Sequence, residues 1–108
     1  MIIRGGENIY PAEIEIRLRE HPTIADAAVV GLPDPLYGET MAAALVLRPD
    51  TEPPDEQELT AWCRATLAPF KTPKRWIALP ALPLTPSGKV RKFLIRDAIL
   101  AATPSPGP

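Results

Sequence analysis

The chain has 108 residues, 45% hydrophobic and 23% charged, a composition that suits one globular domain with a modest core. A net charge of −1 offers no basic field to recruit nucleic acid or anionic lipid, and no apolar run reaches the length of a membrane span. One cysteine and one histidine exclude an internal disulfide and leave no Cys/His set for a zinc site; with no signal-peptide layout, they predict a cytoplasmic setting.

Met1-Ile2-Ile3 and Glu7-Asn8-Ile9-Tyr10 flank Arg4-Gly5-Gly6, the pattern of strand, tight turn and second strand. A lone two-stranded ribbon is marginal in water, so this hairpin is expected to lean on the rest of the fold. Pro11 then suits the first turn of a helix, with Glu13 and Glu15 near its positive end. Ala12, Ile14 and Leu18 line its expected buried side, with Ile16 at the margin, and His21-Pro22 stops it. His21 reads as a cap of that helix end.

Ile24–Gly31 carries the run Ala27-Ala28-Val29-Val30 and reads as a buried strand, followed by a loop over Leu32–Gly38. Thr40–Leu47 is a second strand of the same kind. Asp55 caps the next helix, whose face is Leu59, Trp62, Cys63, Thr66 and Leu67. Cys63 on that face reads as core. Arg75–Leu79 is a third strand, and Arg91–Ala101 a last helix with Leu94, Ala98 and Ala101 on one side. The 15 prolines punctuate these elements, and the Pro-rich tail 102–108 is expected to be disordered. The fold class is α+β: an N-terminal hairpin, then a small sheet of about three strands packed with about three helices.

Between the last strand and last helix, Pro83-Leu84-Thr85-Pro86-Ser87-Gly88-Lys89 puts a lysine at a turn tip. Pro86 holds φ at about −65°, and Gly88 can take the positive φ a sharp reversal needs. On composition alone Lys89 is a solvated turn lysine; on a rigid tip it is a cation aimed at an anion. It does not belong to a Walker phosphate loop. Pro83 stands where that loop needs glycine, and Val90 where it needs Ser or Thr. Arg91 and Lys92 either extend a basic patch or suit the start of a solvated helix. Gly5-Gly6 is a reversal by spacing, or a place where backbone approaches a ligand closely. Tyr37 and Glu39 receive no chemistry.

Two segments carry a resemblance. Gly5-Gly6-Glu7-Asn8-Ile9-Tyr10-Pro11-Ala12-Glu13-Ile14-Glu15 and Pro83-Leu84-Thr85-Pro86-Ser87-Gly88-Lys89-Val90 resemble two signature motifs of adenylate-forming enzymes. His21-Pro22, Ala25 through Gly31, Pro33-Asp34 and Tyr37-Gly38-Glu39 follow the same pattern between them. Residues 1–101 are therefore similar to the C-terminal lid of acyl-CoA synthetases (AMP-binding ligases), and Met1 reads as an internal residue of a longer enzyme.

The resemblance implies an AMP-forming acid–CoA ligase of fatty acid metabolism, in which this chain alone is inactive. ATP, AMP and CoA would be its cofactors, with Mg2+ arriving on ATP and not held here. Its partners would be the large N-terminal AMP-binding domain, a carboxylic acid and CoA, with no nucleic acid and no membrane. Lys89 would be the adenylation lysine, and Gly5, Gly6, Glu7, Asn8 and Gly88 the ligand-contacting positions. The alternatives are a stand-alone interaction module with the lid fold, or the lid of a ligase that loads a carrier protein.

Overall fold

A computed structural model describes residues 2–4, 7–35 and 38–102. In chain order they form β1 (Ile2–Arg4), β2 (Glu7–Ile9), α1 (Pro11–Arg19), β3 (Ile24–Asp34), β4 (Gly38–Leu47), α2 (Glu56–Arg64), a 3₁₀ turn (Pro69–Lys71), β5 (Arg75–Ala78) and α3 (Lys92–Ala102). This is the α+β order that the sequence predicts. Strands β1 and β2 pair antiparallel, while β4 lies between antiparallel β3 and parallel β5.

The apolar runs of β3 and β4 are explained by burial on both faces of the sheet. One face turns Ala27, Val29, Met41, Ala43 and Leu45 toward Ile2 and Ile9 of the hairpin, Ile14 and Leu18 of α1, and Leu59 and Cys63 of α2. The other turns Ala28, Val30, Leu32, Ala42 and Ala44 toward Leu82 and toward Ile95 and Ile99 of α3. The hairpin, α1 and α2 thus cover one face, and α3 covers the other.

Strand β3 is an edge strand, and its outward backbone groups are met by side chains. Arg19 Nη2 donates to the Ala27 carbonyl at 3.2 Å, Glu15 Oε2 accepts from the Val29 N–H at 2.8 Å, and Arg96 Nε donates to the Gly31 carbonyl at 2.9 Å. Such coverage blunts an edge against pairing with another chain. It also corrects the expected loop over Leu32–Gly38: the strands run on, with Pro33 opposite Glu39 and Asp34 opposite Gly38. Pro33 shares the outward parity of residues 27, 29 and 31, so its missing N–H removes no ladder bond.

Other boundaries also shift. In α1, Ile14 and Leu18 are buried, one helical turn apart on the side that meets the core, but Ala12 is exposed. Asp55 caps α2 as expected, accepting from the Glu58 N–H at 2.8 Å. The helix ends at Arg64, so Thr66 lies beyond it and exposed, while Leu67 still packs on the core. In α3 the buried stripe is Ile95 and Ile99, not Leu94, Ala98 and Ala101. Two isoleucines remove more apolar surface from water than one leucine and two alanines. Helix α3 reaches Ala102, and residues 103–108 of the expected tail lie outside the described residues.

Cys63 is wholly buried, and burial pushes its thiol up from 9.0 to about 11, against the opposing pull of the Arg17 charge. Two results are expected. The native thiol resists alkylation at neutral pH. Stability is full below about pH 9 and falls as pH rises through about 11, because the unfolded thiol ionises first. Thermal melts across that range check it, with Cys63→Ala expected to flatten that part of the profile.

Candidate functional site: the lysine turn and the hairpin

The lysine turn is locked by its own backbone. Leu84 and Val90 form an antiparallel bridge at its base. Inside it the Thr85 N–H donates to the Lys89 carbonyl at 2.7 Å, and the Gly88 N–H to the Thr85 carbonyl at 2.9 Å. Thr85 Oγ1 accepts from the Lys89 N–H at 3.1 Å and lies 3.0 Å from Ser87 Oγ. Gly88 takes φ +89°, and a Cβ there would meet nothing within 4 Å. Its glycine is therefore demanded by conformation and not by crowding. The sequence reading named Pro86 and Gly88 and missed Thr85, although a threonine in a Pro/Gly turn commonly bonds nearby backbone.

Lys89 is exposed at the tip, and no carboxylate among the described residues forms an ion pair with it. Its cationic neighbours differ. The Arg91 guanidinium sits 5.1 Å from the Phe93 ring centre, and Lys92 Nζ pairs with Glu15 Oε2 at 3.0 Å. Below the turn, Leu82 and Val90 pack into the α3-side core, which anchors it to that face of the sheet.

Of the other expected site positions, Gly5 and Gly6 lie outside the described residues. Glu7 is described only as backbone of β2, and Asn8 is exposed there. The hairpin root is fixed by Ile2 and Ile9 in the opposite core and by Glu39 Oε1, which accepts from the Ile3 N–H at 3.1 Å. Glu39, given no role from sequence, is thus the hairpin's polar anchor. Gly31 makes room for it, since a Cβ there would collide with the Glu39 carboxylate.

His21 does not cap α1 with its ring. Backbone N–H groups of Glu20 and His21 close that helix on Arg17 and Leu18. The buried ring instead accepts at Nδ1 from the Thr23 N–H (3.2 Å), lies 2.9 Å from the Thr23 hydroxyl, and bonds Glu58 at 2.9 Å through Nε2. It also meets Trp62 edge-on at 4.8 Å, so it is a joint between α1 and α2. Among the described residues there is no cluster of three or more His, Cys, Asp or Glu fit to hold a metal, and no helix long and apolar enough to cross a membrane.

The lysine turn packs with one core of the sheet and the hairpin strands with the other, and the chain that carries them is similar to known proteins. The family described as AMP-binding enzyme C-terminal domain matches residues 13–89. The chain belongs to that family. Acyl-CoA ligase SID4 of Ajellomyces capsulatus is 51% identical over 104 residues, covering 90% of this chain and 18% of the relative. Long-chain-fatty-acid–CoA ligase FadD13 of Mycobacterium tuberculosis is 42% identical, covering 96% of this chain and 20% of the relative.

Among solved structures, amide bond synthetase McbA from Marinactinospora thermotolerans aligns at TM-score 0.85 and 39% identity, over 90% of this chain and 19% of that one. A Mycobacterium tuberculosis fatty acyl CoA synthetase aligns at 0.83 and 41%, over 96% and 20%. The chain therefore spans about a fifth of the length of the relatives it matches.

Proposed function

We propose that residues 1–101 form the C-terminal lid of an AMP-forming acyl-CoA ligase, working against a large N-terminal AMP-binding domain. In the first step a carboxylate attacks the α-phosphate of ATP, giving acyl-AMP and pyrophosphate; in the second the CoA thiol displaces AMP. The first step brings two anions together, and a fixed cation between them lowers the barrier electrostatically. Lys89 is that cation. The Gly5-Gly6 hairpin serves the second step, its backbone lining the path of the thin pantetheine arm, while Glu7, Asn8 and Gly88 complete the ligand-contacting set. ATP and CoA are the nucleotide substrates, with Mg2+ carried on ATP.

The observation that carries this reading is that the lysine turn and the hairpin strands pack into different cores of the sheet. Lys89 stands on a turn packed with the α3-side core, whereas the hairpin strands root in the other core. A rigid-body rotation of the lid would alternate them. The names of the relatives, which include long-chain and medium-chain acyl-CoA ligases, favour a fatty acid as the acid and CoA as the acceptor.

A fusion tests it: this chain joined, in place of the native lid, to the large domain of the FadD13 ligase. Acid-dependent pyrophosphate release and acyl-CoA formation are expected to return. A folded, ATP-binding chimera that forms no adenylate would overturn the reading.

A further inference from the structure

We propose that Glu15 is a positioning residue for the lysine turn, acting through Lys92; this rests on the adenylation role given to Lys89. The Glu15 side chain is only 12% exposed, and a single oxygen, Oε2, accepts both the Val29 N–H at 2.8 Å and Lys92 Nζ at 3.0 Å. Helix α1, which carries Glu15, follows directly from the hairpin, and Lys92 is the first residue of α3, which follows from the turn. One carboxylate therefore ties the two motif-bearing segments to each other and to the edge of β3.

Val90, Ile95 and Ile99 hold the turn and α3 on the sheet by apolar packing, which is non-directional and resists sliding weakly. Register along the sheet is set by directional bonds. Arg96 to the Gly31 carbonyl supplies one, a full turn into the helix; Lys92 to Glu15 supplies another, at its first residue. Beside that first turn lies an open groove of about 290 Å³, lined by Ile2, Gly31, Glu39, Lys92, Phe93 and Arg96. Among the described residues no packed layer braces the helix start on that side. The turn's internal bonds keep its shape, so loss of the ion pair displaces the tip without unravelling it. A misplacement of about 1 Å can cost on the order of 10²-fold in rate. The hairpin is rooted by buried isoleucines and by Glu39, so it stays.

The test is made in a full-length ligase carrying this domain. Glu15→Gln keeps an acceptor for Val29 and removes the charge; Lys92→Met removes the cation alone from a partly exposed site. Each is expected to lower the turnover number for adenylation about 10-fold, with KM for ATP unchanged and thioester formation from supplied acyl-AMP within about twofold. Lys92→Arg is expected to restore adenylation, and the Glu15→Gln/Lys92→Met double variant to be no slower than either single one. Equal losses in both half-reactions, or unaltered adenylation in Lys92→Met, would overturn the proposal. Lys89→Ala measured alongside separates the two readings: if it too spares adenylation, the lysine's own role fails first.

Discussion

Lys89→Ala, in a full-length ligase carrying this domain, should lose acyl-AMP formation by about 10²–10³-fold, the usual cost of removing one preorganised charge-stabilising group. Thioester formation from supplied acyl-AMP should change little. The asymmetry follows from the fold. Lys89 belongs to a turn whose Leu82 and Val90 pack in the α3-side core, whereas the hairpin's Ile2 and Ile9 root in the other core, so the two motifs are assigned to different steps. The variant should also fold normally. The turn is closed through Thr85 and the Lys89 backbone, and the ammonium forms no ion pair among the described residues. Pyrophosphate release and acyl-CoA appearance, measured separately, decide the matter; equal loss in both steps would remove Lys89 from its assigned role.

The same turn shows why part of the site was legible in sequence. Proline and glycine restrict the backbone locally, so Pro86-Ser87-Gly88 announces a tight reversal whatever surrounds it, and Gly88 does take φ +89°. Asp55 three residues before Glu58 is legible for the same reason, since a helix cap is a short-range bond. The stripe of α3 was misread because Leu94/Ala98 and Ile95/Ile99 are both spaced i, i+4, and only the sheet beneath selects between them. Strand length was misread at Pro33 because proline's effect depends on whether its nitrogen faces a neighbouring strand or an open edge. Glu15 and Glu39 were illegible as anchors. Their partners, Val29, Lys92 and Ile3, lie 14 to 77 residues away, and nothing in a carboxylate's own neighbourhood encodes them.

The largest effect on stability is expected at Trp62. Its indole N–H donates to the Arg17 carbonyl at 2.8 Å, and Arg17 Nε donates back to the Trp62 carbonyl at 3.0 Å. The guanidinium carbon lies 3.8 Å from the ring centre, and the buried His21 meets the same ring edge-on. Trp62 is thus the centre of the contact that, with the Arg17 side chain and the His21–Glu58 bond, clasps α1 to α2. Trp62→Ala removes ring, donor and cation–π platform at once and should cost about 3 kcal/mol, the low end for such truncations because the ring is only half-buried. That is a large share of what a domain of this size possesses. Trp62→Phe retains a ring and loses the donor; about 1 kcal/mol is expected, since the Arg17 carbonyl still receives the Glu20 N–H. Urea unfolding of the three proteins gives the ordering directly. An unchanged midpoint in Trp62→Ala would mean that the two helices hold to the sheet independently. The clasp lies on the face away from the lysine turn, so folded Trp62→Phe should still adenylate at the parent rate.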